Sequence, residues 1–197
     1  MENKMEEISS QRKLEALEEN GTLIRKDGKT FLQLDCENAK ELSMKWGEKL
    51  YPFTKTGKKW ILELPFSTPV NYVQICVDGQ EVLSPELPIA HGYGRPYNYI
   101  ELPDEDGLFE LRDVPHGTLT QEFYKSQISD NWEKLIVYLP PCVPSAGLPV
   151  LYLQHGFGES EISWSTTGKV NLLMDNLIAA GKIKPFAIVM GNGMVKQ

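Results

Sequence analysis

Apolar and polar residues alternate through much of the first half of the chain. The apolar positions in these segments are Leu42, Met44, Trp46, Trp60, Leu62, Leu64, Val73, Ile75 and Val77. Alternation with a period of two is typical of a strand that buries one face. The dipeptide Asp78-Gly79 after the last segment is a strong hairpin-turn signal. The pattern predicts a small β-sandwich over residues 21–102.

The second half of the chain carries continuous apolar runs instead. Such runs lie at residues 135–139, 150–153 and 186–190. They predict strands buried on both faces. Between the last two runs, apolar residues recur at helical spacing, at Val170, Leu173, Met174, Leu177 and Ile178. A helix between two such strands indicates a βαβ unit in an α/β sheet.

Two segments follow neither period. Residues 1–20 are charged with sparse apolar positions, which predicts a short surface helix or a tail. Residues 84–103 are rich in Pro, Gly and Tyr and predict a crossing loop, where Tyr93 and Tyr97 either stack on sugar rings or pack internally. The predicted domains are therefore 1–20, 21–102 and 103–197.

Composition narrows the classes of function. The 197 residues are 41% hydrophobic, and the net charge is −7 without a Lys/Arg stripe. This apolar content is enough for a packed core. The charge disfavours nucleic acid and anionic membranes as partners. No apolar run approaches the ~20 residues that span a bilayer. The charged N-terminus has no apolar signal region, so we expect a cytoplasmic protein.

Cysteine usage points to neither a metal site nor a disulfide framework. Cys36, Cys76 and Cys142 are far apart and odd in number. The simplest interpretation is three reduced thiols. We therefore expect no metal and no cofactor.

Candidate chemistry lies in the loop Gln154-His155-Gly156-Phe157-Gly158, directly after an apolar run. Ligands in open α/β sheets bind beyond the carboxyl ends of the strands. Backbone N–H groups in a glycine-rich loop can stabilise an oxyanion during acyl transfer. We predict the N–H of Phe157 as that donor, with Gly158 as the alternative. The simpler interpretation is a tight His-Gly turn after a strand.

Other polar residues are assigned lesser roles. Asn192, in the loop after the run at 186–190, is the candidate substrate-binding residue. His155 is expected to hold its own loop by hydrogen bonding, and His116 to lie in a turn between domains. Asp175, on the polar side of the predicted helix, is expected to be a solvated carboxylate.

A serine nucleophile motif is lacking. The nearest approach to Gly-x-Ser-x-Gly is Gly158-Glu159-Ser160-Glu161-Ile162, which lacks the second glycine. Ser160, Ser163 and Ser165 are interpreted as loop or helix-capping residues.

Three motifs occur in this half of the chain: Val114-Pro115-His116-Gly117, Val137-Tyr138-Leu139-Pro140-Pro141 and the stretch from Pro149 to Gly158. Together they resemble the esterase D-like esterases, and most of all the feruloyl esterases of carbohydrate esterase family 1. The upstream strands are similar to the early-set immunoglobulin-like module that often precedes these esterases. The resemblance implies an N-terminal all-β immunoglobulin-like sandwich, followed by the first part of an α/β-hydrolase, a three-layer αβα fold.

The resemblance also implies serine-hydrolase chemistry on an ester. Only the oxyanion contribution carries over, onto Phe157 and Gly158, because the serine, acid and histidine have no counterpart before Gln197. We therefore expect the N-terminal portion of a feruloyl- or acetyl-type carbohydrate esterase, inactive alone, whose substrate is an ester-substituted oligosaccharide or another small ester. Exposed strand edges of the incomplete sheet predict self-association.

Two other functions are compatible with these residues. One is a trilactone siderophore esterase of the enterochelin type, since that family shares the sandwich-plus-hydrolase plan. The other is a non-catalytic carbohydrate-binding or interaction module with a vestigial hydrolase segment.

Overall fold

The computed structural model describes residues 17–143 and 147–194. The predicted N-terminal helix or tail lies mostly outside the described residues, and residues 17–19 are helical. The described chain divides into two compact units. The first runs to Ala90 and includes Pro96–Pro103, and the second comprises His91–Arg95 and the chain from Asp104 onward.

The described residues are mostly β-structure with two further helices. The strands are β1 (Leu23–Lys26), β2 (Lys29–Asp35), β3 (Leu42–Trp46), β4 (Lys49–Pro52), β5 (Thr54–Thr56), β6 (Lys59–Glu63), β7 (Val70–Val77), β8 (Gln80–Val82), β9 (Ile89–Gly92), β10 (Arg95–Glu101), β11 (Thr118–Lys125), β12 (Trp132–Leu139), β13 (Val150–Tyr152) and β14 (Ala187–Gly191). The helices are α1 (Ser163–Thr166) and α2 (Val170–Ala179).

Strands β1 to β10 form two sheets, with order β1-β2-β6-β5 in one and β4-β3-β7-β10-β9 in the other, where β8 also pairs with β7. Both sheets contribute to a single apolar core that includes Leu34, Met44, Trp60 and Ile75. The alternating residues predicted to share buried faces therefore do so, and Trp60 packs in the core as expected. That this unit is an immunoglobulin-like sandwich remains a prediction.

The turn predicted at Asp78-Gly79 is confirmed. It joins the antiparallel strands β7 and β8, whose register pairs Val77 with Gln80. Both turn residues lie in the left-handed region, with φ values of 50° and 80°. Two successive residues of this kind match the right-handed twist of the flanking strands, which is why Asp-Gly favours such hairpins.

The loop predicted over residues 84–103 is wrong, because this segment contains β9 and β10. Strand β10 pairs with β7, and its Asn98 is fully buried. The Asn98 side chain accepts the N–H of Ser84 at 2.8 Å and donates to its carbonyl at 3.0 Å. A polar residue thus occupies an inward-facing strand position, which masks the alternation.

The second unit contains a four-stranded sheet of order β11-β12-β14-β13. Strands β13 and β14 are parallel and are connected through α2, as the predicted βαβ unit requires. One face of this sheet packs with α2 around a core of Ile136, Tyr138, Val170, Met174, Ile188 and Met190. The predicted helix and the buried strand at 186–190 are therefore confirmed.

Strand β13 departs from its prediction as a buried strand. Tyr152 is 78% exposed, and Val150 and Leu151 are also exposed. The strand lies at the sheet edge with β14 as its neighbour, so the described residues do not cover it. None of the helices in the described ranges combines the length and apolar character that a membrane crossing requires.

Candidate active site

The loops after β13 and β14 lie side by side at one edge of the second sheet. The two strands are parallel neighbours, with Tyr152 opposite Val189, so their carboxyl ends meet. The imidazole of His155 joins the loops, since its Nε2 accepts the backbone N–H of Gly193 at 3.0 Å. The structure thus brings together the two loops that the sequence marked as candidates.

His155 is buried and hydrogen-bonds to backbone groups of both loops of this site. Because Nε2 accepts a hydrogen bond, the proton of the neutral ring resides on Nδ1. That Nδ1 lies 2.7 Å from the carbonyl oxygen of Gly156, to which it donates. Both ring nitrogens are therefore engaged with backbone, and the prediction that His155 holds its loop by hydrogen bonding is confirmed.

The candidate oxyanion donors lie at the surface of this loop. The Phe157 side chain is 80% exposed, and Gly158 has a φ of 74°, a left-handed value that favours glycine. In residues 17–143 and 147–194, no hydrogen bond uses the N–H of Phe157 or Gly158 as donor. Their carbonyl oxygens, in contrast, are both occupied, by the N–H groups of Tyr93 at 3.0 Å and Gly94 at 3.3 Å.

Glu161 forms a buried ionic link beside the two loops. Its side chain is 1% exposed, and Oε1 lies 2.6 Å from Nζ of Lys134 at the start of β12. Burial opposes ionisation, but the hydrogen bond and charge of Lys134, with a further bond from Asn192, outweigh it and lower the pKa of Glu161. Glu161 is therefore an ionised carboxylate. No sequence signal marks it, because its partners lie on distant elements.

Asn192 is held at both ends of its side-chain amide. Its Nδ2 donates to Oε2 of Glu161 at 2.9 Å, and its Oδ1 accepts the N–H of Met194 at 2.9 Å. These bonds orient the loop after β14. A substrate-binding role for Asn192 remains a prediction.

The prediction that Asp175 is a solvated carboxylate is wrong, since Asp175 is 2% exposed. Its Oδ1 accepts the hydroxyl of Tyr138 at 2.6 Å and the N–H of Gly117 at 3.0 Å, and its Oδ2 lies 2.9 Å from Nδ1 of His116. Burial, and then the bond to Asp175 and its charge, raise the pKa of Tyr138. Helical spacing places Asp175 on the polar side of α2, and in the structure residues 116–117 cover this side of the helix.

The serines near α1 are hydrogen-bonded within their own turn. Ser163 Oγ accepts the N–H of Ser160 at 3.2 Å, and Ser165 Oγ donates to the carbonyl of Ile162 at 2.9 Å. Ser160 lies in the loop before α1, as predicted. Ser163 and Ser165 lie within α1, whose N-cap residue is Ile162 and which has no side-chain capping bond, so the predicted capping role is wrong for them.

The described parts of the chain contain no group of three or more His, Cys, Asp or Glu residues arranged to hold a metal ion. Cys36, Cys76 and Cys142 are free cysteines, as predicted.

Residues 126–196 match the family described as "Putative esterase". Over 143 residues, 68% of this chain, the sequence is 38% identical to an endo-1,4-beta-xylanase/feruloyl esterase of Xylanibacter ruminicola. The chain spans 20% of the length of that curated relative.

Among solved structures, the enterobactin esterase FES from Shigella flexneri is similar over 88% of this chain and 55% of its own, with a TM-score of 0.61 and 10% identity. The ferulic acid esterase AmCE1/Fae1A from Anaeromyces mucronatus has a TM-score of 0.41 and 23% identity, over 45% of this chain and 34% of its own.

The similarity to the enterobactin esterase, at 10% identity, is a similarity of fold, and the structural neighbours are esterases of the α/β-hydrolase type. The family match and the curated relative show that the chain resembles the feruloyl esterases of carbohydrate esterase family 1, as its motifs predict.

Proposed function

We propose that this chain is the part of a carboxylic-ester hydrolase that provides the oxyanion-stabilising N–H groups. The hydrolase belongs, in this proposal, to the feruloyl- or acetyl-type carbohydrate esterases. The serine, acid and histidine of the triad are supplied by residues outside this sequence. The observation that carries the proposal is the loop after β13, where the N–H groups of Phe157 and Gly158 lack acceptors among the described residues while their carbonyls are held.

The proposed chemistry follows from where charge develops. When a serine attacks an ester carbonyl, the carbonyl oxygen becomes an oxyanion in the tetrahedral intermediate. Two N–H groups fixed in direction stabilise this charge without reorganising during the reaction. Loss of one such donor typically reduces kcat by about 10²–10³-fold.

The substrate class rests on the curated relative. Its name joins xylanase and feruloyl esterase activities, which favours an ester-substituted plant oligosaccharide as the substrate here. The first unit, with two sheets around one core, is assigned in this proposal as an immunoglobulin-like module preceding the hydrolase.

A trilactone siderophore esterase is the second candidate. The structural likeness to an enterobactin esterase covers 88% of this chain and therefore both units, although its 10% identity reflects fold alone. Substrate choice distinguishes the two candidates.

The test compares the purified 197-residue chain with the polypeptide encoded by the full reading frame. We expect no turnover of a simple aryl ester by the chain alone, and hydrolysis of a feruloyl ester by the full polypeptide. Hydrolysis of a catechol trilactone instead would favour the second candidate. Turnover by the chain alone would contradict an externally supplied nucleophile, and inactivity of the full polypeptide on both esters would overturn the esterase proposal.

A further inference from the structure

We infer that the tip of the β9–β10 hairpin, Tyr93 and Gly94, positions the backbone N–H of Gly158 toward the oxyanion. The inference rests on the proposed function and assigns a role that the sequence does not suggest. Residues 91–95 group with the second unit, so the contact lies within one compact body. The contact is made by backbone N–H and carbonyl groups, so the pattern of side chains along the sequence does not predict it.

The direction of the Gly158 N–H is set through its own peptide unit. The described residues contain no cis peptide bond. In a trans peptide the carbonyl and the following N–H are coplanar and point in opposite directions. The carbonyl of Phe157 accepts the N–H of Tyr93 at 3.0 Å. The N–H of Gly158, on the same peptide plane, therefore points away from the hairpin.

The Phe157 N–H is set independently. It shares a peptide plane with the carbonyl of Gly156, which accepts from Nδ1 of His155 at 2.7 Å and from the N–H of Glu159 at 3.2 Å. The hairpin thus orients one candidate donor, and His155 with Glu159 orients the other. Removing the hairpin bond should affect the Gly158 donor and leave the bonds that hold the Gly156 carbonyl intact.

Close approach of the two backbones requires glycine at position 158. A Cβ placed there would overlap the backbone nitrogen of Gly94 and the backbone of Tyr93. On the hairpin side, Tyr93 and Gly94 have φ values of 52° and 77°. Both residues of this turn are therefore left-handed, as in other tight hairpins. The carbonyl of Gly158 accepts the N–H of Gly94 at 3.3 Å, so two bonds hold the loop.

The sharpest test replaces the backbone amide of Tyr93 by an ester, which removes its N–H and keeps its side chain. Asp27 offers a matched control, since it has the same φ of 52° in the Asp27-Gly28 turn between β1 and β2. A second variant, Gly158→Ala, forces the loop and the hairpin apart. Its control is Gly28→Ala, at the same φ of 74°, where a Cβ meets nothing within 4 Å.

Two readouts are measured. Amide hydrogen exchange by NMR on the 197-residue chain reports whether the N–H groups of Tyr93 and Gly94 are protected, without any need for activity. Steady-state hydrolysis of a feruloyl ester by the full polypeptide then gives kcat and KM separately. Misplacing one oxyanion donor acts on the transition state, so kcat should fall while KM stays nearly constant.

We expect protected Tyr93 and Gly94 amides in the unsubstituted chain. In the full polypeptide, the Tyr93 ester and Gly158→Ala should each lower kcat by about 10²-fold, with KM changed less than about twofold. Neither control variant should reproduce this loss. Unprotected Tyr93 and Gly94 amides, an unchanged kcat in the Tyr93 ester, or a rise in KM alone would overturn the positioning role. If the unsubstituted full polypeptide hydrolyses no ester, the proposed function fails and the catalytic role with it, even where protected amides show the contact itself to exist.

Discussion

The two units are each stabilised by a different kind of interaction. Among the described residues, the first has a core of seventeen buried apolar residues, and strands of both of its sheets contribute to this core. The second has six such residues in its principal core and leaves large apolar side chains of β11 and β13 exposed. In their place, the second unit relies on buried polar links at Asp175, Glu161 and His155. Apolar burial is non-directional, whereas buried polar bonds specify geometry, and the geometry in question is that of the candidate site.

The largest predicted effect on stability comes from removing the buried polar interactions of the second unit. Asp175→Ala leaves the Tyr138 hydroxyl and the Gly117 N–H without their acceptor, and His116 without its carboxylate. We expect the free energy of unfolding of the second unit to fall by about 3–5 kcal/mol, as when one partner of a buried charged network is removed. Urea titration with amide exchange at residues 116–139 measures this loss.

The matched control for that substitution is Asp113→Ala, because Asp113 is an exposed aspartate in the loop just before His116. It should change stability by less than about 0.5 kcal/mol. Equal effects of the two substitutions would show that the Asp175 network contributes nothing specific.

The apolar side of the comparison is tested by Leu34→Ala. Leu34 is fully buried in β2, so we expect a loss of about 2–5 kcal/mol from lost transfer energy and the cavity left behind. Leu50, which is 61% exposed in β4, provides the control. The same change at Leu50 should cost less than about 0.5 kcal/mol. Denaturant unfolding followed by tryptophan fluorescence compares them, and a similar loss in both would contradict a tightly packed core.

Acid should weaken the second unit through Glu161, whose folded-state pKa is lowered. Such a carboxylate stabilises the fold above its unfolded pKa of about 4.3, and this contribution is lost as pH falls through the folded pKa. Glu161→Gln retains an acceptor for Asn192 and removes the charge. We expect the variant to lose less stability than the parent chain between pH ~5 and pH ~3. Parallel pH profiles of unfolding would contradict the ionic link.

The smallest effect on stability, and a distinct effect on assembly, is expected at β13. We predict self-association through this exposed edge, and Leu151→Lys should reduce it because charged residues on edge strands oppose pairing. Leu50→Lys, also at an exposed strand position, is the control. Sedimentation velocity measures both variants, and a monodisperse unsubstituted monomer would contradict the prediction.

Much of the fold was accessible from residue patterns alone. The period-two segments became β3, β6 and β7, and the helical spacing became α2. The failures were specific. Strand β10 was missed because buried Asn98 interrupts its alternation, and the carboxylate of Asp175 was misplaced because spacing along a helix does not reveal what covers its polar side.

The candidate site likewise has features that the sequence predicts and features that it does not. The loop with Phe157 and Gly158 follows from a glycine-rich segment after a strand, and its resemblance to esterases follows from motif strings. The Lys134–Glu161 pair and the hairpin contact at Tyr93 have no such signal, because each joins groups far apart in the chain.

The sequence by itself determined where the chain forms most of its strands and α2, which loop is rich in glycine, and which family the second unit resembles, since these depend on local periodicity and short motifs. The tertiary structure alone decided which carboxylates are buried and which carbonyls are held, and hence the direction of each candidate donor N–H. The physical reason is that burial and hydrogen-bond direction are set by neighbours in space, which local sequence does not specify.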